Sequence, residues 1–293
     1  MTTATARSTA CAVAVHLSAH RASGATVHRW CETHPGPLAG AGVAVRTSDA
    51  ALREAVPGLE WRSDRGRRRL HAHLTPGSAT LVSTAAVLGP AYRHTGGHLH
   101  PDARAGVAAL AAALHDVPWR VHLTVGDHAS TVVQAWVDAV RAGHRVPFDD
   151  FAATLDEPSW VPLVHRLVRT VGADRVVVHD ATRARPDDQA AVAAVARDVL
   201  GALLGALDAT APVHDLEVPP DPARWSARQV DVALAMLPHL RSWEDRGAMR
   251  RFVDDEVDVG GGPAWPVPPA LADRLAACDA ADLTRLTELV EVR

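Results

Sequence analysis

The chain contains no lysine, no isoleucine and no asparagine, and a single tyrosine, Tyr92, among 293 residues. Apart from histidine, every side-chain cation is therefore an arginine, a planar fork rather than a compact ammonium. Cysteine is scarce too. Cys11, Cys31 and Cys278 are odd in number and widely spaced, which excludes a disulfide framework and gives no metal-ligand spacing. The net charge of −4 removes the electrostatic case for nucleic acid. Long apolar runs are missing as well. Residues 1–17 carry one arginine, and the apolar stretch there is interrupted by His16 and His20 too soon for a signal peptide. The most apolar later run, 199–207, is flanked by Arg197, Asp198 and Asp208 and falls far short of the roughly 20 residues that span a bilayer. These absences predict a cytoplasmic protein without a membrane or nucleic-acid partner.

What is present is an apolar share of 47%, ample for a core. The stretch with most information is 12–32, AVAVHLSAHRASGATVHRWCE. It opens with a short apolar run at 12–17, as in a buried parallel strand. A small-residue turn containing Ser18, Ala19, Ser23 and Gly24 follows, and then a helix for which Thr26 is the expected cap. Strand, tight turn and helix N-terminus together bring backbone N–H groups onto an anion.

Further strands are expected at 79–83, 119–125 and 175–179, and helices at 50–56, 101–114, 130–142, 160–171 and 187–207. Short apolar strands alternating with helices predict an α/β fold, a parallel sheet covered on both faces. Its ligand site would lie at the carboxyl ends of the strands, in the loops after Leu17, Ser83, Val125 and His179. Residues 35–42 read as a turn-rich link, and 61–69, with Arg65, Arg67, Arg68 and Arg69, as a basic solvated loop. A proline-rich link at 208–222 leads to a helical tail, with helices at 226–240, 243–253 and 271–290. Trp30, Trp119, Trp136 and Trp160 lie in apolar elements and read as core. The histidines at 94, 98 and 100, with His71 and His73, fit no common zinc motif, so no metal is expected.

The run VHLSAHRASGATVHRW resembles the 5′-phosphosulfate loop of bacterial sulfotransferases that use 3′-phosphoadenosine 5′-phosphosulfate (PAPS), roughly L-H-I-G-x-H-K-T-G-T-T-S-L-Q-R-F. Without gaps, His16, His20 and Arg29 match, and Arg21 stands where the family has lysine. Residues 121–151 resemble its V-x-R-D-P-x-x-x-x-x-S-x-Y segment, and the tail resembles the ends of bacterial members. The resemblance implies a three-layer, P-loop-like α/β domain over 1–207 with a helical C-terminal extension over 208–293. It implies sulfuryl transfer from PAPS to a hydroxyl of a small molecule or glycan. On that reading Arg21, Ala22, Ser23, Gly24, Ala25, Thr26, Asp127 and Gln134 bind the donor, while His20 and Arg21 are catalytic. A further base candidate is the His28–Glu32 pair, otherwise a surface pair on one helix face.

The departures from the family are as plain as the matches. Gly126 replaces the arginine of R-D-P, His128 its proline, and Gln134 the serine that with that arginine holds the 3′-phosphate. Ser83 is followed by Thr84, Ala85 and Ala86, so the family's glutamate is gone. Losing one charged contact costs about 2–3 kcal/mol, or about 30- to 150-fold in affinity. Two alternatives therefore stand beside sulfotransfer: a degenerate, non-catalytic homologue acting as a binding or accessory protein, and an enzyme that reuses the anion loop for another donor.

Overall fold

The computed structural model describes residues 12–47, 63–75, 79–84, 87–92, 98–155, 157–185, 187–214, 216–219, 225–258, 262 and 264–293. The expected helix at 50–56 and part of the histidine-rich loop at 94–100 lie outside them. The architecture is α/β, built on one parallel sheet with strand order β2–β3–β1–β4–β5–β6. The strands are β1 (Val13–Ser18), β2 (Val43–Arg46), β3 (Ala79–Thr84), β4 (Trp119–Gly126), β5 (Val176–Ala181) and β6 (Glu291–Val292). This order differs from the dinucleotide-binding order 3-2-1-4-5-6 by exchange of β2 and β3.

Burial on both faces explains why the central strands read as apolar runs. On one face Val13, Val15 and Leu17 of β1 join Val121 and Leu123 of β4 and Val176 and Val178 of β5 in the larger core. That core is covered by α3 (Asp64–Leu74), α4 (Ala103–Ala113), α5 (His128–Arg141), α6 (Phe148–Ala153) and α7 (Val161–Val171). On the other face Ala14 and Leu81 meet Val27 and Trp30 of α1 (Arg21–Thr33) and Val199, Leu200 and Leu203 of α8 (Gln189–Ala206). Each fully buried Val or Leu contributes about 1.5–3 kcal/mol. All four tryptophans read as core are buried. By length and composition α8 is apolar enough to cross a membrane; here it is a core helix packed on α1 and on the sheet.

Several boundaries differ from those expected. α1 begins at Arg21 rather than Thr26, because the His20 side chain caps it, accepting from Ser23 N–H. Thr26 lies inside the helix and donates its hydroxyl to the Ala22 carbonyl at 2.9 Å. The basic segment is not a loop: Ser63 caps α3 by accepting from Gly66 N–H at 3.0 Å, and Leu70 and Leu74 anchor that helix in the core. Pro35–Gly40 forms the short helix α2, with proline at its first turn. β2 and β6 add two strands to those expected. The tail folds as α9 (Ala227–Met236), α10 (Trp243–Glu256) and α11 (Pro269–Thr287), and Glu291–Val292 then pairs with Val177–Val178. Residues from both sides of position 207 thus share one sheet.

β1 feeds α1 on one face, whereas its neighbour β4 feeds α5 on the other. The crevice outside the carboxyl ends of β1 and β4 is therefore the topological switch point, where ligands of open α/β sheets bind.

Candidate functional site at the strand carboxyl ends

Two turns meet at this switch point, Ser18–His20 after β1 and Asp127 after β4. The first is short and tied both to β4 and to itself. Ala19 and His20 donate their N–H groups to the Thr124 carbonyl at 2.9 and 3.2 Å. Gly24 N–H donates to the His20 carbonyl at 3.0 Å, and Ser23 N–H to His20 Nδ1 at 3.4 Å. The Ser18 hydroxyl donates to the His20 carbonyl and sits directly over Gly24, where any Cβ would lie 2.2 Å from Ser18 Oγ. Gly24 is thus a close-approach glycine, and the space above it is filled by protein.

The donor-binding candidates Arg21, Ala22, Ser23, Gly24, Ala25 and Thr26 accordingly form the first turns of α1 rather than a separate loop. Arg21 points sideways: its guanidinium meets Asp138 of α5 at 3.1 Å, both side chains about two-fifths exposed. Gln134 donates to the same carboxylate at 3.1 Å. An exposed pair of this kind is worth about 0–1 kcal/mol. Arg21→Ala should therefore lower the unfolding free energy by about 1 kcal/mol or less, as read from the urea midpoint. A loss several times larger would mean that Arg21 has a structural role beyond this pair. His28 and Glu32 meet at 3.5 Å on the partly exposed side of α1.

His20 is buried, and Nδ1 lies 2.8 Å from Ser23 Oγ. Its Nε2 has no hydrogen-bond partner among the described residues. Burial lowers its pKa, opposed by the Asp127 carboxylate and then by the Ala184 backbone, which faces the ring without reaching hydrogen-bond geometry. The ring lies on Gly126, where a Cβ would come within 2.7 Å of His20 Cδ2. Asp127 caps α5 by accepting from Ser130 N–H at 2.7 Å through Oδ1, while its buried Oδ2 has no partner among the described residues.

Beside this turn is a buried ionisable network whose members lie about 150 positions apart in the chain. His128 is fully buried; Nε2 lies 3.2 Å from Asp282 Oδ2 and 3.7 Å from Asp279 Oδ1. Its backbone N–H donates to Asp279 Oδ1 at 3.0 Å. Asp282 also accepts from the Ser159 hydroxyl at 2.7 Å and from Trp160 N–H. The Trp160 ring stacks on His128 at 5.3 Å, and its indole N–H donates to the Gly126 carbonyl at 3.0 Å. Burial pushes Asp279 up to about 6, with His128 acting in the opposite sense. For Asp282 burial also acts upward, but hydrogen bonds from His128, Ser159 and Trp160 outweigh it and hold the carboxyl below its usual value. The available signal was the spacing of Asp279 and Asp282, three apart and so on one face of α11.

Comparison with protein-family models, curated proteins and solved structures gives no match for this chain.

Proposed function

We propose that this chain is a sulfotransferase-like relative of P-loop type whose donor site is closed, and that it acts as a binding or accessory protein rather than as a sulfuryl transferase. One observation carries this reading: at the β1–α1 turn the N–H groups of Ala19, His20, Ser23 and Gly24 are bonded to protein acceptors, with the Ser18 hydroxyl seated over Gly24. An anion needs open backbone N–H groups at such a turn. Three features act in the same direction. Arg21 is held on Asp138, the His20 ring covers Gly126, and Gln134 is turned to Asp138. The same closure counts against any other phosphorylated donor on this turn.

The test is calorimetric titration of the full chain with PAPS and with its desulfated product. No saturable binding of either should appear at millimolar concentration, and removal of the 3′-phosphate should make no difference. Tight PAPS binding with a strong preference over the 3′-dephosphorylated form would overturn this reading and restore sulfuryl transfer to a small-molecule or glycan hydroxyl.

A further inference from the structure

On the face of the sheet beneath α8 a row of polar side chains crosses strands that are otherwise apolar. His16 of β1 bridges Ser83 Oγ of β3 at 3.0 Å through Nδ1 and Thr124 Oγ1 of β4 at 3.0 Å through Nε2. His122, the register partner of His16, places Nδ1 3.0 Å from Nε2 of His179 on β5. The two rings stack at 5.3 Å. All three histidines are buried, and His122 Nε2 has no partner among the described residues. A nitrogen-to-nitrogen contact of this length holds one shared proton, so at least one of its two rings is neutral. The row reaches a cavity at one end: His179 lines a space of about 420 Å³, together with Asp180, Arg197, Asp198 and Arg293.

We propose that His16, His122 and His179 form an acid-sensitive latch that holds α8 and β6 on the sheet while the imidazoles are neutral, and releases them when protons enter through the cavity at His179. The charges around the row favour release over accommodation. The groups facing it are Arg120 on β4, His28 on α1, Glu291 and Arg293 at β6, Asp180 on β5, and Arg197 and Asp198 on α8. No carboxylate hydrogen-bonds any of the three rings among the described residues; each bonds a hydroxyl or another imidazole. A charged ring here would be a buried cation with no carboxylate bonded to it among the described residues, which is costly.

The direction of the response follows from the titrations. Burial, then Arg293, pushes His179 down to about 4, with Glu291 opposing. Burial, then His179 and His28, pushes His16 down to about 3. Burial, then His179, His16 and the two arginines, holds His122 well below the usual value. Released rings would titrate near 6.5. The released form therefore binds more protons, so the latch is fully effective above about pH 6.5 and weakens as pH falls toward 4. Each ring that titrates on release changes the equilibrium about 30-fold between pH 7.5 and 5. Two or three rings acting together make the transition steep.

The experiment is hydrogen exchange on the full chain between pH 7.5 and 4.5, expressed as protection factors. Protection of α8 and β6 should fall at least about 30-fold by pH 5, while α4 and α7 on the opposite face keep theirs. In His122→Gln/His179→Gln only His16 is left to titrate, so the fall in α8 protection should be smaller than in the native chain by about 30-fold for each replaced ring that takes part. Uniform loss on both faces would mean general acid unfolding and overturn the proposal, as would an unchanged pH profile in the double variant. If that variant does not fold, imidazole NMR of the native chain decides. His122 and His179 should titrate together and in step with α8 release. Independent titration with α8 still protected would overturn the latch.

Discussion

Asp282→Ala should lower the unfolding free energy by about 3–5 kcal/mol, the cost of removing one partner from a buried charged network. Asp282 is buried and accepts from three donors on different elements: His128 Nε2 on α5, the Ser159 hydroxyl, and Trp160 N–H at the start of α7. Alanine orphans all three at once, and each buried donor without a partner costs about 1–3 kcal/mol. The Ser159 hydroxyl can rotate to another acceptor, whereas the Trp160 N–H cannot.

Asp282→Asn separates the terms. Its carbonyl can still accept from Trp160 and His128, its amide can donate to Ser159, and only the charge is lost. The expected cost is about 1–2 kcal/mol, charge-assisted bonds being roughly twice as strong as neutral ones. Because hydrogen bonds outweigh burial and depress the carboxyl pKa, its contribution is present above the ordinary aspartate value and lost as pH falls below it. Urea denaturation of the two variants at pH 7 decides. If alanine costs no more than asparagine, the network does not bind α11 to the β4–α5 corner.

The β/α alternation was legible because the central strands are buried on both faces and so read as unbroken apolar runs. The elements that the sequence pattern hides have specific physical causes. Glu291–Val292 pairs at the sheet edge through backbone groups and carries no apolar pattern. The arginines of α3 occupy three sides of the helix and obscure the stripe of Leu70 and Leu74. Histidine is not among the residues expected at a helix start, yet His20 caps α1, and this moved its beginning from Thr26 to Arg21.

The candidate site was less legible than the fold. Gly126 and Gln134 stood out only as departures from a family pattern, and no pattern in one chain shows what fills the space a missing side chain leaves. Here the neighbour is the His20 ring, 106 positions earlier in the chain. Asp279 and Asp282 could be placed on one helix face, but not against His128, which is about 150 residues away.

Gly126→Arg combined with Gln134→Ser, the change that would recreate the resembled 3′-phosphate contacts, should create no PAPS site and should destabilise the fold. A Cβ at 126 lies 2.7, 3.2 and 3.3 Å from Cδ2, Cγ and Cβ of His20. Two of those are ring atoms, and the ring is fixed by Ser23 Oγ at 2.8 Å. Overpacking of this kind costs about 1–3 kcal/mol even for a methyl group, and a guanidinium arm forced into the same space costs more. The Gly126 carbonyl also accepts from the Trp160 indole, so a shift of this backbone would reach the His128–Asp282 network. A double-mutant cycle isolates the cause. Gly126→Ala should cost about 1–3 kcal/mol in the native background and clearly less when His20 is already alanine, giving a coupling of about 1–2 kcal/mol between the two positions. Equal costs in both backgrounds would show that the ring does not occupy this space. PAPS binding gained by the arginine variant would show that the site is open.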